Sequence, residues 1–238
     1  MRSPLASRTP VIRAHQRIAT VFEAHQQART MFIQNELTPN KDAIKFIPGE
    51  RVLPEGVPSI EYVDPRSSFA SPLAKMLFQI EGVKHVFLGS DFITVTKDPL
   101  ATWQLMKPDI YSAIMDFYSS GQPIITDEQA PSDTAILDDD PEPVKMIKEL
   151  LDTRIRPAIQ EDGGDVEYRG FTAEGLVKLK LKGACRTCDS SVVTLRNGIE
   201  NMLKHYVPEV TAVEQELDPE DEVSQEEFDK LEKRLNGA

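Results

Sequence analysis

The chain has 238 residues, 40% of them hydrophobic and 28% charged, with a formal net charge of −12; this is an ordinary globular composition and a length for one large domain or two small ones. Residues 1–30 hold five arginines and one acid, which leaves 22 basic and 38 acidic residues for the remainder, and so acidic a body argues against nucleic-acid binding, which needs clustered Lys and Arg on phosphates. No stretch reads as a membrane-spanning run of about 18 apolar residues, and two cysteines make no disulfide framework, which points to a reducing compartment or to a dedicated use of the pair.

In chain order, residues 1–30 combine Arg with Ser and Thr, almost no acid, and no continuous apolar core. That composition fits a mitochondrial transit peptide, with a disordered basic tail as the alternative. From Met31 apolar runs alternate with turns. "MFIQNE" and "AIKFIP" predict short strands about "LTPNKD", and "ERVLPEGVPS", broken by Pro54, Gly56 and Pro58, predicts irregular structure. "SPLAKMLFQIEG" predicts a helix with Ser71 as N-cap, Pro72 at its first position, an apolar face of Leu73, Met76, Leu77 and Ile80, and a stop at Gly82.

"VKHVFLGSDFITVT" predicts a hairpin about Gly89, Ser90 and Asp91. "TWQLMKPDIYSAIMDFYSSG" places Trp103, Met106, Ile110, Ile114 and Phe117 at helical spacing, with Pro108 either starting or bending the helix. Residues 31–125 therefore read as an α+β domain. Residues 126–143 carry seven acids, three prolines and no basic residue, the composition of a solvated, flexible linker.

Residues 144–217 read as a second small α+β domain. Its helix has a stripe of Val144, Ile147, Leu151 and Ile155 and is disrupted near its end by Pro157; "EDGGD" turns at Gly163 and Gly164. A hairpin follows, with Val177, Leu179 and Leu181 on one face and Lys178, Lys180 and Lys182 on the other. Beyond the cysteines, Val192, Leu195, Ile199, Met202, Leu203 and Tyr206 define another helix, and "VTAVEQEL" supplies a last strand. In the acidic tail 218–238, a capping box of Ser224 and Glu227 and the line Phe228, Leu231, Leu235 predict a short helix.

The chemistry concentrates in "LKGACRTCDSS", where Cys185 and Cys188 form a C-x-x-C motif between a strand and a helix N-terminus. The helix end, Lys182 and Arg186 favour thiolates there, while Asp189 opposes them. Three chemistries use such a pair. A thioredoxin-like dithiol oxidoreductase also places C-x-x-C between strand and helix, but in a sheet built on βαβ units, where this domain reads as helix, hairpin, loop, helix, strand.

Zinc needs four N or S ligands. His15 and His25 lie in the leader, His85 in the other domain, and His205 roughly 22 Å along a helix from the loop. An iron–sulfur cluster commonly takes four cysteines, and two chains contributing two each across a twofold axis would supply them. Arg154 and Arg156 of "DTRIRP" either balance such a cluster's charge or form surface ion pairs. A reading of the pair as inert, in an interaction adaptor, also stays open. No P-loop, dinucleotide glycine pattern or H-E-x-x-H competes.

"LLDTRIRPAIQEDGGDVEYRGF" and "LKGACRTCDSSVVTLRNGIENMLKHYVPEV" resemble the C-terminal domain of the Nfu (NifU-like) iron–sulfur scaffold proteins. "FIQNELTPNKDAIKFIPG", "SPLAKMLFQIEGVKHVFLGSDFITVTK" and "WQLMKPDIYSAIMDF" resemble the N-terminal domain of the mitochondrial members, and "EEFDKLEKRL" is similar to the tail of fungal ones. The resemblance implies that Cys185 and Cys188 bind a [4Fe–4S] cluster shared between two subunits of a homodimer. It further implies a non-enzymatic carrier of the mitochondrial matrix, working with iron–sulfur assembly factors and delivering to apoproteins such as lipoyl synthase, succinate dehydrogenase and aconitase. The family's loop usually has small residues between the cysteines; Asp189 here should weaken a cluster by repulsion, and Arg186 should offset it.

Overall fold

The computed structural model describes residues 32–126, 133–186 and 189–216. The expected transit peptide and C-terminal helix, and Cys188 itself, lie outside the described residues.

The N-terminal lobe is a five-stranded antiparallel sheet covered by two helices. Its elements are β1 (Gln34–Leu37), β2 (Ala43–Ile47), β3 (Ile60–Tyr62), α1 (Pro72–Phe78), β4 (Val83–Leu88), β5 (Ile93–Lys97) and α2 (Trp103–Ser120). The sheet order is β1-β2-β5-β4-β3. Ile44, Phe46, Val86, Leu88, Ile93 and Val95 are buried with Leu73 and Leu77 of α1 and with Met106, Ile110, Ile114 and Phe117 of α2. The i, i+4, i+8 and i+11 spacing of the four α2 residues keeps them on one helical face.

Ser71 accepts the Ala74 N–H at 3.2 Å, which satisfies one of the open donors at the start of α1. The helix α2 neither starts nor breaks at Pro108 but runs through it from Trp103. One backbone hydrogen bond, to the Gln104 carbonyl, is forgone there. The buried face continues on both sides of the proline and holds the helix to the sheet. Strand β3, directly after the stretch expected to be irregular, pairs with β4 through only three residues.

The second lobe begins before its first expected helix. Asp133 accepts from Arg156 Nη2 at 3.0 Å and from the Tyr168 N–H, Thr134 Oγ1 donates to Asp152, and Lys148 Nζ pairs with Asp140 at 2.7 Å. The acid-rich stretch is therefore anchored to this lobe from Asp133 onward, where the composition alone suggested a solvated linker. Arg156 and Lys148 capture its carboxylates.

Helix α3 (Glu142–Leu150) leads into a π-helical turn, Leu151–Ile155, and then α4 (Arg156–Glu161). The Arg156 N–H reaches back to the Leu151 carbonyl, five residues earlier. Pro157 explains the widening: it lacks an N–H and its ring crowds the carbonyl four residues before it, so the helix admits an extra residue in the turn ahead of it. The apolar stripe survives, with Ile147, Leu151, Ile155 and Ile159 all buried.

Strands β6 (Gly164–Phe171) and β7 (Leu176–Gly183) form an antiparallel hairpin, helix α5 (Asp189–Tyr206) crosses over, and β8 (Ala212–Gln215) pairs with β7 in parallel. Val177, Leu179 and Leu181 face the core with Ile199, Leu203 and Val213, as the alternation required. Tyr206 is instead exposed, its ring 5.1 Å from the Arg154 guanidinium. The β7–α5–β8 crossover is a βαβ unit, which the linear order of elements had not disclosed. No helix among the described residues is long and apolar enough to cross a membrane. Mixed helix and strand in both lobes make this an α+β protein.

Candidate functional site

Strand β7 ends at Gly183, and Cys185 follows two residues later, ahead of the helix that starts at Asp189. Cys185 thus stands between a strand and a helix, as expected for the first half of the C-x-x-C motif. Cys185 is 7% exposed and packs with the second lobe's core. The Ala184 N–H donates to the Gly163 carbonyl at 3.2 Å and the Arg186 N–H to Gly183 at 3.2 Å, which fold the chain tightly around the thiol.

The glycine pair of "EDGGD" does more than turn. Gly163 makes the turn with φ +79°, and Gly164 lies beneath the cysteine: a Cβ there would stand 2.6 Å from Cys185 Sγ and 2.7 Å from the Lys182 carbonyl. Real carbons do not approach so closely, so the thiol's position depends on the absence of a side chain at 164. Gly183, at φ +68°, is similarly enclosed, with a Cβ reaching to 3.1 Å from the Phe87 ring. Two adjacent glycines opposite a cysteine loop were the available signal for this seat.

The positive charges expected beside the thiols are already engaged. Lys182 Nζ pairs with Glu167 at 2.5 Å, and Arg186 Nη1 with Glu61 Oε2 at 2.6 Å. Glu61 belongs to β3 of the other lobe, and its second oxygen accepts the Gly183 N–H at 2.9 Å. Asn40 Nδ2 donates to the Ala184 carbonyl at 3.2 Å, and Thr94 Oγ1 donates to the Gly163 carbonyl at 2.7 Å. The N-terminal lobe carries no cysteine, yet it reaches the cysteine loop. Its contribution runs through polar contacts that carry no sequence pattern.

Arg156 is not a surface ion pair, nor does it face the cysteine loop. It bridges Asp133, Asp152 and Asp165 and donates to the Val166 carbonyl at 3.0 Å. Asp165 also accepts from Ser59 Oγ of the N-terminal lobe. Arg154 lies over Tyr206 instead.

His85, placed by sequence in a separate domain, comes under the influence of Arg186. Burial, then the charges of Arg186 and Lys84, press its pKa down to about 4, so the ring is neutral at pH 7. His205 stacks edge-on against Tyr206 at the far end of α5. Among the described residues, no three His, Cys, Asp or Glu side chains gather into a metal site. What the fold does provide is a buried thiol, in the described part of its loop, at the mouth of a βαβ crossover.

This pairing of lobes defines a class. The family model described as Scaffold protein Nfu/NifU N terminal matches residues 33–121, and the NifU-like domain model matches residues 147–214. A NifU-like protein of Schizosaccharomyces pombe is 53% identical over 89% of this chain and 83% of its own length. NifU-like protein 5, mitochondrial, of Arabidopsis thaliana is 58% identical over 84% of this chain and 74% of its own. The NFU1 iron-sulfur cluster scaffold homolog, mitochondrial, of Drosophila erecta is 52% identical over 87% of this chain and 72% of its own. The chain belongs to the Nfu/NifU family of scaffold proteins.

Proposed function

We propose that this protein is an iron–sulfur cluster scaffold and carrier, not an enzyme, that holds a [4Fe–4S] cluster between two protomers through Cys185 and Cys188 of each. The observation that carries the reading is the seating of Cys185 on Gly164 at the end of β7, within a domain whose family is that of named iron–sulfur scaffolds. A single chain offers two thiolates where a cluster commonly needs four, and a twofold pairing of loops supplies the rest. Soft thiolates suit iron and sulfide. A cluster held only by surface loops at a subunit junction leaves readily, which suits delivery.

The relatives named as mitochondrial support a mitochondrial location, and a carrier of this kind would work in the matrix. Lipoyl synthase, succinate dehydrogenase and aconitase apoproteins are the clients this family reading implies, with assembly factors upstream. Anaerobic reconstitution followed by Mössbauer spectroscopy and analytical ultracentrifugation tests the core of it. About four iron and four sulfide per dimer are expected, and Cys185→Ala or Cys188→Ala should abolish them; a monomer holding stoichiometric zinc and no cluster would sink the proposal.

The β7–α5–β8 crossover behind the motif favours one second reading, a thioredoxin-like dithiol oxidoreductase. That chemistry requires a reversible disulfide between Cys185 and Cys188. Insulin reduction by the apoprotein at a defined potential would support it, and the carrier reading expects none.

A further inference from the structure

The described part of the cysteine loop is covered by the molecule's own N-terminal lobe. Three separate elements reach it: the turn before β2 through Asn40, β3 through Glu61, and β5 through Thr94. The contacts fall on Gly163, Gly183, Ala184 and Arg186, the residues that frame Cys185. They are well shielded from water, with Asn40 5% exposed, Thr94 1%, and the Glu61 and Arg186 side chains 4% and 10%. Phe87 of β4 packs over Gly183 from the same side.

Glu61 is chemically the most telling member. One carboxylate oxygen takes a backbone N–H of the loop and the other takes the guanidinium of the residue next to the thiol. These are the donors that stabilise negative charge at a thiolate or at an anionic thiolate-ligated cluster. A carboxylate holding them both occupies the anion-favouring side of the loop.

We propose that the N-terminal lobe is a built-in cap on the cysteine loop, with Glu61 as an anionic latch that must release Gly183 and Arg186 before the loop can meet a second copy of the chain. The inference rests on the scaffold reading for its purpose, since loop pairing across a twofold axis needs the surface that the lobe covers. Capping and pairing then exclude each other. The closed molecule is the resting apoprotein, and opening exposes both the thiol and the Arg186 charge together.

The test uses the full-length apoprotein, reduced and anaerobic. Alkylation of Cys185 by iodoacetamide is followed by peptide mass spectrometry, and amide hydrogen exchange is followed over residues 183–186 and over β2 as an internal reference. Glu61→Gln removes the latch charge, Thr94→Val removes an independent contact from β5, and Glu55→Gln serves as the control, its pairing with Arg51 being on the exposed surface. In both of the first two variants the rates at Cys185 and at 183–186 should rise about fivefold or more, with β2 unchanged and the control like wild type.

Unchanged rates in both variants would overturn the cap. So would equal acceleration of β2, which reports unfolding of the lobe rather than its release. Because these readings are made without iron, a failure of cluster reconstitution would strike the carrier reading and leave the cap measured on its own terms.

Discussion

Gly164 stands so close beneath Cys185 that a single added carbon would lie 2.6 Å from the thiol sulfur. The cysteine cannot keep its place above any other residue. Gly164→Ala should therefore cost about 1–3 kcal/mol through overpacking and displace the loop. Urea unfolding should show the loss of stability, and reconstitution should show a matching loss of bound iron even though both cysteines remain.

The Arg156 network makes a sharper stability prediction. Arg156→Leu strips Asp133, Asp152 and the buried Asp165 of their shared cation, and breaking a buried pair by removing one partner costs about 3–5 kcal/mol. Denaturation of the variant should reveal it. Because Asp133 also accepts the Tyr168 N–H, exchange at Tyr168 should accelerate as the acidic stretch comes loose.

His85 gives the lobe contact a pH dependence. Its folded pKa is depressed to about 4 by burial, Arg186 and Lys84, so the unfolded chain binds the proton first. The stability associated with the neutral ring is complete above pH 6.5, declines as pH falls below that value, and is fully lost near pH 4. The total is about 3 kcal/mol. Urea unfolding of wild type and His85→Gln between pH 7.5 and 4 should show a steeper acid decline in wild type, and parallel curves would refute the assignment.

In the core of the second lobe, Leu203 is fully buried on α5 against β7. Leu203→Ala should cost about 2–5 kcal/mol and lower the Tm. A larger drop than for the half-exposed Tyr206→Ala would show that α5 is held by its inner face rather than by its aromatic end.

The parts of the fold legible in the sequence were those with a local period or a local cap. Ser71, the face of α2 and the alternation through Val177, Leu179 and Leu181 each state their role within a few residues. Strand β3 did not, because three residues between Pro58 and Pro65 show no period and owe their conformation to β4. The π-turn was hidden because a widened turn preserves the apolar stripe.

The site was half legible. Cys185 and Cys188 announce themselves by spacing, but Glu61, Asn40 and Thr94 are ordinary polar residues until the two lobes meet. Their significance lies at sequence separations of 69 to 144 residues, where no periodicity operates. Likewise Asp133 and Asp140 are part of an acid run in sequence and become structural anchors only when Arg156 and Lys148 reach them.

Under the proposed cap, the contact between Glu61 and Arg186 also sets the concentration against which a second copy of the chain would have to compete. A lobe carried on the same chain as the loop it covers competes at an effective concentration on the order of millimolar. A free second copy arrives at far lower concentration. On the proposed twofold reading, protein–protein affinity alone is then a weak force for drawing two loops together, and iron–sulfur bonds would have to supply it, so that assembly would follow the supply of cluster rather than the abundance of the chain.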